Sequence, residues 1–206
     1  DTWHTSGEII DPLEAGNYTV QFNTVTGWVT PPERSVSVAK AQTASITATY
    51  AQQAGSLTVN IAPAEAVAAG AQWSIDGATW YDSGYTLDPL AIGSYTVRFS
   101  TLAGWTTPND VPVTITQGQN TATGGTYILQ TGSLTVHIEP AEAVAAGAQW
   151  SLDGTTWHDS GTLVSSLPVG SYTIQFNDIT GWDRPSDIPV TLADGALEER
   201  TGTYVR

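Results

Sequence analysis

Apolar and polar residues alternate along most of the chain, in short bursts. Ser56–Ile61 sets Leu57, Val59 and Ile61 on one face. Ser94–Ser100 sets Tyr95, Val97 and Phe99 inward and Thr96 and Arg98 outward, and Val111, Val113 and Ile115 repeat the pattern. Alternation over a few residues predicts half-buried strands. Punctuation separates the bursts. Pro63 to Gly70 reads as a short helical turn, with proline early and glycine just past the end. Asp76-Gly77, between Gln72–Ile75 and Ala78–Asp82, predicts a two-residue hairpin. Tyr85–Leu90 reads as a short edge strand with Pro89 near its end. Gly118-Gln119-Asn120 marks a turn, and Thr123–Leu129 reads as a last strand. About seven short strands, with a turn roughly every 8–12 residues, predict a small antiparallel β-sandwich. The fold class is all-β.

The pattern recurs. Gly55-Ser56-Leu57-Thr58-Val59 returns as Gly132-Ser133-Leu134-Thr135-Val136, 77 residues later. Trp3, Trp80 and Trp157 keep that spacing, as do Gly27-Trp28, Gly104-Trp105 and Gly181-Trp182, and Tyr50, Tyr127 and Tyr204. Self-similarity at a fixed period is the signature of a tandem array. The expected organisation is a partial β-sandwich repeat, 1–54, followed by two complete ones, 55–131 and 132–206. Asp1 aligns with Ala78, so the partial repeat lacks the counterpart of Gly55–Gly77, its first strands. Gly55–Gly84 and Gly132–Gly161 agree at 25 of 30 positions, and the remainder diverges more. The conserved half includes the Ala-rich turns Ala64–Gly70 and Ala141–Gly147. Two readings stand: a contact between repeats, or recent duplication.

The succession Leu90, Gly93-Ser94-Tyr95-Thr96-Val97, Gly104-Trp105, Val111-Pro112-Val113-Thr114-Ile115 and Gly118-Gln119 is similar to PEGA-type repeats. It also resembles the related carboxypeptidase-regulatory, transthyretin-like sandwiches of bacterial surface proteins. Leu57-Thr58-Val59, Pro63 and Asp76-Gly77 fit that pattern. Pro-Ala-Glu-Ala stands here where the naming motif has Pro-Glu-Gly-Ala. The resemblance implies tandem Ig-like or prealbumin-like sandwiches that are surface-exposed and non-enzymatic. It implies no ligand.

The tryptophans, eight in all, are the conspicuous side chains. In a two-residue hairpin at 76–77, residue 73 faces residue 80. Trp73 with Trp80, and Trp150 with Trp157, are then expected as cross-strand pairs closing the core. Trp3 falls in the slot of Trp80 and is expected to be an orphaned core residue. The rival reading is an aromatic platform for a sugar ring. Trp28, Trp105 and Trp182, each in a Gly-Trp loop, are the candidates for glycan contact, although that slot also suits a plug over the end of a sandwich.

Composition removes several function classes. Six Lys+Arg against twenty Asp+Glu give a net charge of −14, which leaves no basic face for nucleic acid. With no cysteine there is neither a disulfide framework nor a thiolate metal site. No apolar run approaches the ~18 residues of a membrane span. The absence of methionine, an initiator included, marks a processed chain or a piece of a longer one. His158-Asp159-Ser160 holds the residue types of a hydrolase, but neighbours in a strand point to opposite faces and do not converge. The same slot reads His4-Thr5-Ser6 and Tyr81-Asp82-Ser83, so no enzyme is expected. Asp76, Asp82 and Asp88, and Asp178, Asp183 and Asp187, offer Ca²⁺-type oxygens without an ordered loop spacing. They read as turn chemistry and solubilising charge. No cofactor is expected, with Ca²⁺ the one candidate. Asn17-Tyr18-Thr19 is a glycosylation sequon by letter only, since Ser94 and Ser171 fill the same slot.

The partial repeat lacks counterparts of Leu57, Val59, Ile61, Val67, Trp73 and Ile75. At 1.5–3 kcal/mol for each buried residue, that loss is roughly 10 kcal/mol, comparable to the whole stability of a small domain, about 5–15 kcal/mol. Residues 1–54 are therefore not expected to fold alone. Three explanations stand: the chain continues upstream, a partner orders the segment, or another copy donates strands. Heterologous contacts that do not close build filaments. The expected function is an extracellular structural repeat, a segment of a bacterial cell-surface stalk, fibre or filament. It assembles by end-to-end packing and strand complementation, with further copies of itself or the remainder of a longer repeat chain as partners. The alternative is a carbohydrate-binding or adhesive surface module.

Overall fold

The computed structural model describes residues 2–206. The protein is mostly β, built from several small sheets with two short helical turns, Ala64–Ala68 and Ala141–Ala145. The chain divides into two compact units. One comprises Asp1–Thr58, Thr86–Tyr95 and Pro112–Ala122; the other comprises Val59–Tyr85, Thr96–Val111 and Thr123–Arg206.

Residues 131–206 show how the alternation is used. Strand Thr131–Glu139 lies at the centre of a three-stranded sheet, flanked by Leu163–Pro168 and Leu197–Thr203. The second sheet places Gly170–Phe176 between Trp150–Ser151 and Ile188–Leu192. Leu134, Val136 and Ile138 of the first sheet meet Ile174, Phe176, Val190 and Leu192 of the second, with Trp150 and Tyr204 closing the cluster. Both sheets contribute to this cluster, and one pairing corrects the antiparallel expectation. Thr131–Glu139 is antiparallel to Leu163–Pro168 but parallel to Leu197–Thr203, with Ser133 opposite Leu197 and Glu139 opposite Thr203. All the other elements of 131–206 lie between these two strands in the chain, and a long crossover is what parallel neighbours need.

The last strand also approaches the core closely. A Cβ on Gly202 would lie 2.3 Å from the Phe176 ring, and one on Gly125 would lie 2.4 Å from Phe99. Glycine at these positions lets an aromatic ring lie against backbone.

Residues 54–129 carry elements of the same kinds. Ala54–Ala62 is flanked by Asn120–Thr126 and Thr86–Ala91, and Gly93–Phe99 lies between Val111–Ile115 and Gln72–Ser74. The expected last strand begins earlier than predicted, at Asn120, and breaks at Tyr127. Tyr127 turns inward and is buried.

The first fifty residues differ. Gly16–Val20 pairs with Arg34–Val38, Tyr18 opposite Val36, and Trp28–Val29 pairs with Ala51–Gln52. Residues 9–14 and 43–49, the counterparts of the two strands that flank Ala54–Ala62, form no strand. Val97, Phe99, Val113, Ile115 and Tyr127 are buried, whereas their counterparts Val20, Phe22, Val36, Val38 and Tyr50 are only half-buried. Among the described residues before Gly55, Pro31 alone is buried.

Candidate functional site

The hairpins at 76–77 and 153–154 position the tryptophans, and they differ from the two-residue turn expected. Ser74 Oγ accepts the N–H groups of Asp76 (3.2 Å) and Gly77 (2.8 Å). Asp76 Oδ1 accepts those of Ala78 and Thr79, both at 2.8 Å. These bonds hold its carboxyl down to about 2, the Thr79 N–H contributing most, then that of Ala78. Asp153 is lowered in the same way by Thr156 and Thr155. Side-chain acceptors thus replace a tight turn by a longer loop. Only Gly77 takes positive φ, at 73°, where a type I′ turn needs two such residues. Ser74 and Ser151 are fully buried because they serve these turns.

The longer loop shifts the register by one residue and corrects the expected pairs. Trp73 lies opposite Tyr81, not Trp80, and Trp150 opposite His158, not Trp157. A one-residue slip reverses every side chain. Trp73 and Trp150 are fully buried, whereas Trp80 and Trp157 are 37% and 36% exposed. The buried indoles bond to backbone, Trp73 Nε1 to Asp82 O at 3.1 Å and Trp150 Nε1 to Asp159 O at 3.2 Å. Trp3 is 63% exposed. Trp80 and Trp157 are partly exposed too, so Trp3 does not hold the place of a core residue, and the half-buried apolar side chains before Gly55 include Val20, Phe22, Val36 and Val38.

The residues that resemble a hydrolase triad are structural. Ser160 Oγ accepts the Ile138 N–H at 2.8 Å, and Asp159 Oδ1 accepts the Gln149 amide at 2.9 Å. Four of the six carboxylates considered for Ca²⁺, Asp76, Asp82, Asp178 and Asp187, are directed at donors. Asp82 accepts the Gln72 amide, while Asp178 and Asp187 flank Arg184 at 3.4 and 3.0 Å. Among the described residues, no group of three or more His, Asp or Glu side chains is placed to hold a metal ion. No helix among them is long and apolar enough to cross a membrane.

The Gly-Trp loops form a recurrent backbone joint. The turn at Gly27-Trp28 is closed by the Trp28 N–H donating to Val25 O, and Gly27 takes φ 81°. Gly27 O accepts the Gln53 N–H at 2.8 Å, and Gln53 O accepts the Ile92 N–H at 3.2 Å. The same chain of bonds returns as Gln130 N–H to Gly104 O at 2.9 Å and Val169 N–H to Gln130 O at 3.1 Å. A glutamine thus joins a Gly-Trp turn on one side to a loop further along the chain on the other. Sequence reading missed this, because its donors and acceptors are main-chain atoms and leave no side-chain signature. The nearest signal was the 77-residue spacing of Gly-Trp itself.

The three candidate glycan contacts differ accordingly. Trp28 is 42% exposed beside an open hollow of about 390 Å³ lined by 24–30, Gln53, Ile92 and Gln117. Trp105 is half-buried and pairs across strands with Leu129. Trp182 is half-buried, with the Arg206 guanidinium over its ring at 5.2 Å. A further aromatic surface lies outside these loops. Trp157 borders a shallow hollow of about 360 Å³ with Gln175, Asn177, Asp178, Arg184 and Asp187.

No protein-family model matches the chain, and no curated protein matches its sequence. Among solved structures, the Bacillus anthracis TIE protein is similar in fold over 94% of this chain, with a TM-score of 0.63 and 15% identity. The chain spans 42% of that protein's length. More distant are a streptococcal ancillary pilin (TM-score 0.32, 14% identity, 93% of this chain and 76% of that one) and the shaft pilin SpaA of Lactobacillus rhamnosus GG (TM-score 0.31, 13% identity, 75% and 98%). The first likeness establishes a shared β fold; the two pilin superpositions are too poor to add to it.

Proposed function

We propose that the chain is a non-enzymatic structural segment of a bacterial cell-surface stalk or fibre, built from β-sandwich repeats at 1–54, 55–131 and 132–206 that pack end to end. The observation that carries this reading is the joint. Gln53 and Gln130 each bond through their backbone to the turn before and the loop after. A tether meant to be flexible has no need of paired main-chain bonds at both ends. The element positions support the array: Ala54–Ala62 and Thr131–Glu139 begin 77 residues apart, as do Gly93–Phe99 and Gly170–Phe176. The acidic surface suits solubility outside a cell and weak non-specific contact. NMR residual dipolar couplings on the whole chain test the joint. One alignment tensor for 55–127 and 132–206 is expected, and independent tensors would leave a flexible string and remove the stalk. Electron microscopy of the native material tests whether that stalk is a polymer.

The second reading is a carbohydrate-binding module, and the Trp157 hollow favours it. An indole face beside amides and carboxylates is the chemistry that holds a sugar ring and its hydroxyls. A glycan-array screen with Trp157→Ala, Trp105→Ala and Trp182→Ala separates the readings. Binding lost with one of these variants supports adhesion, and no binding by the unmodified chain rejects it.

A further inference from the structure

We infer, on the carbohydrate-binding reading, that the hollow beside Trp157 is a subsite for one neutral hexopyranose ring, and that the surfaces beside Trp80 and Trp3 are not. The distinction begins at a cross-strand position that returns every 77 residues. Gln175 lies one residue past Ile174 and Asp187 one before Ile188, the end pair of the ladder between Gly170–Phe176 and Ile188–Leu192. Gln21 and Glu33 stand in the same way beyond Val20 and Arg34, and Arg98 and Asp110 hold the corresponding places. The two earlier pairs close on themselves. Gln21 Nε2 donates to Glu33 Oε1 at 2.7 Å, and Arg98 Nε lies 3.8 Å from Asp110 Oδ2. The third pair is broken by a new side chain. Arg184, where positions 30 and 107 carry threonine, donates to Asp187 Oδ1 at 3.0 Å and lies 3.4 Å from Asp178 Oδ1. It takes the carboxylate. The Gln175 amide is left without a hydrogen-bond partner among the described residues, and it lines the hollow.

The walls around that amide are held by the fold. Asn177 lines the hollow but is fully engaged: its Oδ1 accepts the Gln149 N–H at 2.7 Å and the Tyr204 hydroxyl at 3.1 Å, and its Nδ2 donates to Gly147 O at 2.9 Å. Trp157 directly follows the loop in which Asp153 accepts the N–H groups of Thr155 and Thr156. A Cβ on Gly154 would lie 3.0 Å from Gln175 Oε1, so glycine there leaves room for the amide. An indole face on a braced loop beside a free amide is set before a ligand arrives, which lowers the cost of binding.

These groups define the ligand. The exposed indole suits the C–H face of a pyranose ring. The Gln175 amide both donates and accepts, as a hydroxyl does. Asp178, Arg184 and Asp187 present acceptor, donor and acceptor together, which matches hydroxyls on neighbouring ring carbons. Charge narrows the class. Two carboxylates against one guanidinium leave the hollow negative, on a chain of net charge −14, so a sugar carboxylate is repelled. A cationic sugar finds its place between the two carboxylates already filled by Arg184. An uncharged ring is what remains.

Proton–nitrogen NMR spectra of the whole chain, titrated with the methyl glycosides of glucose, galactose and mannose, test the hollow, because each tryptophan gives its own indole N–H signal. Saturable shifts of the Trp157 indole and Gln175 amide signals are expected with at least one of the three. A single ring on an open surface is expected to bind with a dissociation constant of about 1–10 mM. Trp157→Ala is expected to abolish binding, and Gln175→Ala to weaken it about threefold, the loss of one hydrogen bond. Trp80→Ala is expected to leave it unchanged. Methyl glucuronide and glucosamine are expected to bind more weakly than the best neutral glycoside. No shift at Trp157 with any of the three glycosides overturns the subsite. Equal shifts at Trp3 and Trp80 overturn it too, as unselective stacking on any exposed indole. So does tighter binding of glucuronide or glucosamine, which would assign a charged ligand. The glycan array separates this subsite from the wider reading. A glycan held through Trp105 or Trp182 alone keeps the binding module and removes the hollow, whereas no glycan bound removes both.

Discussion

Asp76 and Asp153 show how one carboxylate alters a fold locally. Each accepts two backbone N–H groups in its own loop, and its carboxyl is lowered as a result. A depressed folded-state value stabilises above the unfolded value and is lost as pH falls through the folded one. For Asp76 that window runs from 3.8 down to about 2. Asp76→Asn with Asp153→Asn should therefore lower the melting temperature at neutral pH and flatten its fall on acidification across that window. Thermal melts by circular dichroism check this, and an unchanged acid slope would remove the turns from the account. A different residue-scale constraint sits at Gly202, whose Cβ would clash with one edge of the Phe176 ring. Gly202→Ala should cost about 1–3 kcal/mol in urea denaturation, the usual range for overpacking. A neutral result would mean that the ring has room to move.

At the scale of elements, strands were the most legible feature. Leu57-Val59-Ile61 and Tyr95-Val97-Phe99 gave strand and inward face together, because period two over a buried face admits one register. The Pro-to-Gly helical turn was equally plain. What misled was Asp76-Gly77. The pair is a hairpin signal when its own backbone makes the turn, but Ser74 and Asp76 spend their side chains on the loop and lengthen it. Ser-x-Asp-Gly carried that information. The parallel pairing of Thr131–Glu139 with Leu197–Thr203 had no local signal, since alternation states which face is buried and not which strand lies alongside. The register shift is measurable. Two tryptophans facing each other would cost alike when truncated. Here Trp150→Ala should cost about 3–5 kcal/mol, as for a large core residue, and Trp157→Ala at least about 2 kcal/mol less, its ring being partly in water. Equal losses in chemical denaturation would restore the two-residue hairpin.

For the whole molecule, the unequal burial before and after Gly55 has a kinetic consequence. Proteolysis of a native chain samples segments that open locally, and opening is cheap where few apolar side chains are buried. Trypsin offers a small set of sites here. Arg184 precedes Pro185 and is closed to the enzyme, which leaves Arg34, Lys40, Arg98 and Arg200 as internal positions. Arg98 lies in Gly93–Phe99 beside the buried Phe99, and Arg200 is paired with Val136 in the parallel ladder. Cutting either requires a core to open. Arg34 ends a two-stranded ribbon, and Lys40 lies in a turn beside Ala41, which itself has φ 58°. Mass spectrometry of a digestion time course should therefore show cuts at Lys40 and Arg34 first, followed by a resistant fragment beginning at Ala41 that keeps Arg98 and Arg200 intact. If Arg98 or Arg200 were cut as fast as Lys40, the chain would be opening as one cooperative body, and the contrast between the sparsely buried residues before Gly55 and the buried cores after them would not hold in solution.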